Sequence, residues 1–175
     1  MGRYPRRVTD QPYLTNLPRF LEHLAPRDPE SAQLAQLLLD NGWTVRGFWG
    51  PEQMDVWQLD LARHGLLVQF RIERGFAEWP RVVEALDPPH LDDYRPLGLA
   101  ILAWARATGV PFRLDHPDDF QHDLVEHAPD ALEWVSREGS RRFDRVYAAW
   151  REFRSDWNHS IPIADHLAAL EASAR

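Results

Sequence analysis

Residues 115–133, DHPDDFQHDLVEHAPDALE, hold the densest set of side chains that could bind a metal or move a proton. The segment has seven acids and three histidines and no arginine. Carboxylates and imidazoles on one helix face can hold a divalent ion. His122 and His127, however, are five residues apart, about 140° around a helix, whereas zinc-protease motifs space their histidines by four. Because the chain also lacks cysteine, no metal site is predicted.

The stretch from His122 to Glu126 resembles the His-Asp motif of HD-domain phosphohydrolases. The resemblance implies further ligands on an earlier and a later helix, for which His90 and Asp144 are the candidates. The preferred explanation is intramolecular. An acidic helix over this segment would pair along its exposed edge with the arginine-rich residues 137–154, and each surface pair would contribute about 0–1 kcal/mol.

A second set of candidate residues lies upstream, on two predicted strands. Asp55 begins one strand, and the tripeptide QFR at 69–71 lies on the next. With the order helix, three strands, helices, strand, residues 30–115 resemble the restriction-endonuclease-like (PD-(D/E)XK) nucleases. The resemblance implies a divalent metal ion bound between Asp55 and Gln69, with Arg71 at the position of the family's catalytic lysine. An arginine replaces that lysine poorly, because its guanidinium group keeps its proton. By strand alternation, Asp60 rather than Asp55 shares a face with Arg71.

Alternation sorts the residues of these strands into two faces. One face is predicted to be core and carries Trp43, Val45, Trp49, Trp57, Leu59, Leu61, Leu66, Val68, Phe70 and Ile72. The other is predicted to carry a partner-binding surface made of Arg46, Phe48, Asp60, Arg71 and Glu73. Phe48 would supply the aromatic anchor that interfaces favour. The alternative is a solvated face with cross-strand charge pairs.

Turn and cap residues predict the elements that position these side chains. Asp28-Pro29 begins a helix and Gly42 ends it. Three strands follow, at roughly 43–49, 54–62 and 66–74, as an antiparallel meander in which Arg63-His64-Gly65 turns the second strand into the third. The remaining predicted elements are a short helix from Pro80, a helix over 97–107 with Gly109 beyond its end, a strand at 110–114, helices from Pro117 and Pro129, and helices at 140–157 and 161–172.

The helix predicted from Ser140 to Trp157 has the clearest periodicity in the chain. Its apolar residues form one stripe that is predicted to be core: Phe143, Val146, Tyr147, Trp150, Phe153 and Trp157. Together the elements predict a single α+β domain over residues 1–175. An antiparallel sheet of three or four strands would be packed on one face by several helices, with residues 1–16 as an extended or mobile arm.

Composition narrows the classes of function. The 20 basic residues are all arginine and stand against 27 acids, for a net charge of −7. That balance disfavours nucleic acid and suits attraction of a basic protein. Without lysine, neither a Schiff base nor a phosphate-binding P-loop can form. The chain has no secretory signal pattern and no run near the ~20 apolar residues of a membrane span, so a cytoplasmic location is predicted.

These observations favour a cytoplasmic, non-enzymatic protein-binding module that needs no metal or cofactor and whose partner is a basic protein. Its most concrete form is a bacterial immunity protein or another toxin inhibitor. A nuclease or nuclease-derived protein of the PD-(D/E)XK type is the enzymatic alternative, and a structural subunit of a larger assembly is a third. A homo-oligomer is left open, and no membrane association is expected.

Overall fold

The computed structural model describes residues 14–84, 94–155 and 160–175. Its helices are α1 (Leu17–Leu24), α2 (Pro29–Asp40), α3 (Leu97–Thr108), α4 (Leu124–Trp134), α5 (Ser140–Ser155) and α6 (Ile163–Ala174). Its strands are β1 (Thr44–Glu52), β2 (Val56–Arg63), β3 (Leu66–Glu73), β4 (Phe76–Ala77), β5 (Arg81–Glu84) and β6 (Arg95–Pro96). The fold is α+β with an antiparallel sheet packed by helices, which confirms the predicted class.

Within the described residues the sheet has six strands rather than the predicted three or four, because the short strands β4, β5 and β6 extend the meander. The strand order is β1-β2-β3-β5-β6, with β4 also paired to β3, and every pairing is antiparallel. Two-residue turns join its central strands. His64-Gly65 links β2 to β3, and Arg74-Gly75 links β3 to β4; all four residues have positive φ. That backbone matches the twist of a tight hairpin, and glycine at the second position adopts it without steric cost.

Several helix boundaries follow from cap residues. The Asp28 carboxylate accepts the amide of Ser31 at 3.0 Å, and Pro29 occupies the first helical turn, as predicted for α2. Gly109 ends α3 with a φ of 78°. Between its ends α3 is buried from Leu97 to Ala105, as expected for a helix that is apolar on all sides and surrounded by other elements.

Helix α1 was not predicted, although its sequence carries the signal. Leu17, Phe20, Leu21 and Leu24 are spaced as one helical face, and Pro18 lies in the first turn. Phe20 and Leu24 are buried in the core. Leu14–Asn16, the last residues of the predicted extended or mobile arm, form a 3-10 turn that leads directly into α1, so the arm prediction is wrong at these positions. Residues 1–13 lie outside the described residues.

Four of the weaker element predictions are wrong. The helix predicted from Pro80 is strand β5, whose two valines pair with β3 and favour a sheet because they are β-branched. Residues 110–114 form no strand and Pro117 begins no helix. Pro129 lies inside α4 rather than at its start. The missing strand at 110–114 also leaves the predicted nuclease-like topology incomplete.

A π turn, Val135–Gly139, joins α4 to α5 without a break in the helix. Phe143 and Val146 behind it are 3% and 0% exposed, as the stripe prediction requires. Tyr147, Trp150 and Phe153 are only half-buried, so among its described members the stripe is fully buried at Phe143 and Val146 alone. The indole N–H of Trp150 donates to the carbonyl of Pro117 at 3.1 Å. The predicted last member of the stripe, Trp157, lies outside the described residues.

Glycine is required at the end of this π turn. A Cβ on Gly139 would lie 2.3 Å from the ring of Trp134, which covers that backbone. The wide turn thus brings an aromatic ring against the main chain where any side chain would collide with it.

The core lies between the sheet and the helices, and it contains buried residues from both. The opposite sheet face is not purely polar. Leu67, Val83 and Tyr94 form a small separate apolar cluster there, with Ala62 against it. Within the described parts of the chain, no helix is long and apolar enough to cross a membrane.

Candidate functional site

A β-bulge changes the faces of β1. The pairing of β1 with β2 shifts register between Val45 and Gly47, so Arg46 has no residue opposite it in the ladder. One extra residue exchanges the faces of the side chains that follow. Phe48 thereby turns into the core and Trp49 turns to the opposite face, the reverse of the prediction.

Phe48 is fully buried, with 0% of its surface exposed. Its ring centroid lies 5.9 Å from that of Phe20 in an edge-to-face arrangement and 6.4 Å from that of Trp57. The prediction that Phe48 lies on the polar face is wrong. In this position its ring cannot anchor a partner, because a partner would have to displace the core to reach it.

Asp60 does lie on the face opposite the helices, but it is only 8% exposed. The amide of Gln58 donates to both its carboxylate oxygens at 3.0 Å, and Gln69, directly across the ladder, donates at 3.2 Å. Burial outweighs these hydrogen bonds and raises the pKa of Asp60 to about 6. The group is a buried carboxylate held by neutral donors.

Arg71 and Glu73 are half-exposed, and their charges are already paired. Arg71 contacts Glu73 at 2.7 Å and Glu78 at 2.9 Å, and Arg81 contacts the second oxygen of Glu78 at 2.8 Å. Arg46 is exposed at the bulge. Of the five predicted site residues, three are therefore accessible, and two of those belong to an ion-pair chain along β3 and β5.

The positions of the two aspartates bear on the nuclease resemblance. Asp60, not Asp55, shares a face with Arg71, as strand alternation predicts, and it lies directly across the ladder from Gln69. Asp55 lies in the turn before β2, and its carboxylate accepts hydrogen bonds there from other residues. A metal shared by Asp55 and the tripeptide at 69–71 does not fit this arrangement.

A different group of accessible residues gathers where the β1–β2 and β3–β4 turns meet. We call Met54, Asp55, Arg74 and Phe76 the sheet-end patch. The amide of Arg74 donates to the carbonyl of Met54 at 2.9 Å, which joins the two turns. Met54 is 60% exposed and Phe76 is 76% exposed, unusual values for large apolar side chains. Met54, Asp55 and Arg74 also have φ of 53–64°, which non-glycine residues seldom adopt.

Helix α1 supports the sheet-end patch from below. His23 contacts Asp55 at 2.9 Å, and the indole of Trp57 donates to the other Asp55 oxygen at 2.9 Å. Arg27 donates to the carbonyl of Gly75 at 2.9 Å, so each turn is tied to the α1 region through a side chain. The two exposed apolar residues therefore stand on turns whose backbone is held in place.

Electrostatics at the patch differ from those at Asp60. The hydrogen bond from His23 is the main cause that lowers the pKa of Asp55, with Trp57 and Arg27 adding to it against a smaller effect of burial. Asp55 is thus an ionised, half-exposed carboxylate at neutral pH. Arg27 approaches the second ring nitrogen of His23 at 3.3 Å, so that nitrogen is occupied as well. The arrangement suits hydrogen bonding and charge pairing with a bound surface.

The predicted pairing of the acidic segment with the basic helix is found in part. Arg154 contacts Asp118 at 3.1 Å, and Arg137 pairs with Glu133 one turn earlier in the helix. Asp144 pairs instead with Arg95 of β6. His90, the other residue that the HD-domain resemblance pointed to, lies outside the described residues.

The histidines of this segment differ in the residues that they contact. His122 contacts Asp119 and the carbonyl of Arg113, each at 3.0 Å. Burial opposes its protonation, but these two contacts outweigh it and raise the pKa of His122 above its ordinary value. His127 is buried with its ring 5.6 Å from that of Trp104. Among residues 14–84, 94–155 and 160–175, no three acids or histidines come together as a metal-binding group.

The sheet-end patch was not predicted from the sequence because three of its four residues lie in turns, which strand alternation does not describe. One signal was present. Arg74-Gly75 has the same form as His64-Gly65, which was correctly predicted as a hairpin turn. A hairpin turn predicted at Arg74-Gly75 would have placed Phe76 at the start of a short strand.

Comparison with protein-family models, with curated proteins and with solved structures finds no match for this chain.

Proposed function

We propose that this protein is a protein-binding module that docks its partner on the sheet-end patch. The observation that carries the proposal is the exposure of two large apolar side chains at a pair of joined turns: Met54 lies in one turn, and Phe76 directly follows the other. Methionine, aromatic residues and arginine are enriched at protein interfaces, and Arg74 supplies the third of these types. Exposed apolar groups rimmed by polar ones are typical of such sites.

The rigid support of the patch adds to the proposal. Binding is weakened by the entropy lost when mobile side chains and loops become ordered. The contacts of His23 with Asp55 and of Arg27 with Gly75 hold the turns before any partner arrives. A pre-organised surface of this kind retains more of its contact energy as affinity.

The chemistry of the partner is inferred from charge. A net charge of −7 would attract a basic protein over long range, and the ionised Asp55 would offer it a specific contact. The most concrete form of this proposal is an immunity protein or another inhibitor of a basic bacterial toxin, acting in the cytoplasm.

Two other functions fit the chain less well. A nuclease would need Asp60 and Gln69 to hold a metal, but Asp60 is 8% exposed and its oxygens already accept three amide hydrogen bonds. A structural subunit would use the sheet-end patch as a permanent contact. The affinity of the complex distinguishes a structural subunit from a regulatory binding module, because a permanent contact survives purification of the complex.

The experiment is quantitative affinity capture from cells of the native host with three immobilised chains: the parent, Phe76→Ser and Ile163→Ser. Ile163 is 48% exposed on α6, so its substitution is a matched control that removes an exposed apolar side chain elsewhere. Both variants should unfold at nearly the parent's denaturant midpoint, because neither residue contributes to the core.

We expect one protein to be captured by the parent and by Ile163→Ser and depleted at least about tenfold with Phe76→Ser, as loss of a central aromatic anchor produces. Once purified, the captured protein should bind the parent at least about tenfold more tightly than it binds Phe76→Ser. Equal capture by all three chains would place the binding surface elsewhere and contradict the proposal.

A further inference from the structure

A stripe of charged side chains runs along the exposed side of α4, the π turn and α5. Four of its members are exposed and make no hydrogen bond or ion pair within residues 14–84, 94–155 and 160–175. Glu126 and Asp130 lie on α4, and Arg141 and Arg145 lie on α5. The stripe is thus acidic before the turn and basic after it.

The middle of the stripe carries charges of both signs. Glu133 pairs with Arg137 across the start of the π turn, and Glu138 is exposed within the turn. The four residues at the ends of the stripe lie on either side of this middle part, two acids four residues apart and two arginines four residues apart. At about 1.5 Å per residue, each pair spans about 6 Å along its helix.

We propose that this stripe is the interface of a symmetric dimer with a second copy of the chain. If two copies lie antiparallel about a two-fold axis at the π turn, Asp130 of one faces Arg141 of the other, and Glu126 faces Arg145. The spacings match because both pairs are four residues apart. The two-fold axis repeats each contact, so two complementary pairs become four.

The pattern favours a second copy over an unrelated occupant. Like charges four residues apart on a helix repel, so the two acids destabilise α4 and the two arginines destabilise α5 while they stay unpaired. One antiparallel copy relieves both repulsions together. An anion would relieve only the arginines, and a basic partner only the acids.

The shape around Arg141 also suits a neighbouring side chain. Two clefts of about 410 and 420 Å³ flank it, and Arg141 lines both. The half-buried Trp134 lies on the wall of the second cleft. Exposed ion pairs are individually weak and are screened by salt, so the dimer is weak and dissociates at high ionic strength.

The test is sedimentation equilibrium at low and high salt with charge-reversed chains. Arg141→Glu would set two carboxylates against each other at the contact with Asp130 of the other copy, and Asp130→Arg would set two guanidinium groups together there. Each variant alone should therefore have a dimer dissociation constant at least about tenfold above the parent's. In an equimolar mixture a heterodimer can form from one chain of each variant. Its unaltered Asp130 then faces the unaltered Arg141 of the other chain, and the two substituted residues face each other, so both contacts again join opposite charges. Arg19→Glu, at an exposed position of α1, is the matched control for net charge.

We expect the parent and the control to form a salt-sensitive dimer, each reversal to be monomeric, and the equimolar mixture to form a heterodimer as tight as the parent dimer. Circular dichroism verifies that each variant is folded. A parent that is monomeric at low salt and high concentration overturns the proposal, and so does a mixture that stays monomeric. A monomeric parent whose melting temperature rises with inorganic phosphate, an effect lost in Arg141→Glu, would show that the occupant is an anion. Phe76→Ser should dimerise normally, which separates this interface from the sheet-end patch.

Discussion

The centre of the sheet and its hairpin end each hold a phenylalanine and an aspartate, in opposite surroundings. At the centre Phe48 is fully buried and Asp60 is 8% exposed. At the end Phe76 is 76% exposed, and the side chain of Asp55 is 37% exposed. The same two residue types therefore build a core in one region and an accessible surface in the other.

The two aspartates show why surroundings decide chemistry. Both accept hydrogen bonds from neighbouring side chains. Burial dominates at Asp60 and raises its pKa, whereas the bond from His23 dominates at Asp55 and lowers its pKa. A contact to an ionisable, half-exposed imidazole favours the carboxylate, and contacts to neutral amides inside the protein do not compensate for lost water.

The largest expected effect tests the two phenylalanines. Phe48→Ala should lower the free energy of unfolding by about 3–5 kcal/mol, because it removes a ring from a packed core. Phe76→Ala should change it by less than about 0.5 kcal/mol, since that ring is mostly in water. Urea denaturation followed by tryptophan fluorescence measures both. Similar losses for the two variants would show that the hairpin end is packed rather than exposed.

The next effect concerns Asp60 and pH. Its folded-state pKa of about 6 lies above the ordinary value of 3.8, so the stability linked to its protonation is full below that ordinary value and is lost as the pH rises through about 6. Asparagine does not titrate. The stability of Asp60→Asn relative to the parent should therefore increase by roughly 2–3 kcal/mol between about pH 4 and about pH 8.

Parallel urea titrations across this pH range give the difference directly. Gln69→Leu is a useful companion, because it removes one donor to the Asp60 carboxylate and should increase the total loss of stability with rising pH. A difference between Asp60→Asn and the parent that stays constant with pH would mean that Asp60 is solvated.

The smallest effect concerns Asp55, where the sign reverses. Its lowered pKa stabilises the fold at pH values above the ordinary one, and that stability is lost as the pH falls through the folded-state value. Because the group is more than a third exposed, Asp55→Asn should cost less than about 1 kcal/mol at neutral pH. NMR titration of the Asp55 carboxyl carbon measures the shift itself. A pKa at or above the ordinary value would contradict the arrangement with His23.

The sequence was informative wherever one local rule sufficed. Asp28-Pro29 located the start of α2, Gly109 the end of α3, and His64-Gly65 the central hairpin. Alternation also assigned the faces of β2 and β3 correctly, including Asp60 on the same face as Arg71. These features depend on neighbouring residues or on a strict period, which a sequence displays directly.

The candidate site depended on features that a sequence does not display. A glycine inside a strand is a common sign of a bulge, and Gly47 directly follows Arg46, but strand alternation alone takes no account of it. One extra residue was enough to exchange the faces of Phe48 and Trp49. The sheet-end patch needs Met54 and Arg74, 20 positions apart, to meet through a backbone hydrogen bond. Its support by His23 depends on α1, which was not predicted.

The π turn also sets the rotational phase of the helix that follows it. The buried positions Ala131, Val135, Gly139 and Phe143 recur at steps of four. At about 100° per residue, three such steps in a regular α-helix would carry Phe143 about 120° around the axis, away from the core. The wider turn absorbs that excess. Deleting a single residue from Val135–Gly139 would hardly alter the composition, yet it would rotate α5 against α4 and turn one of their apolar faces out to water.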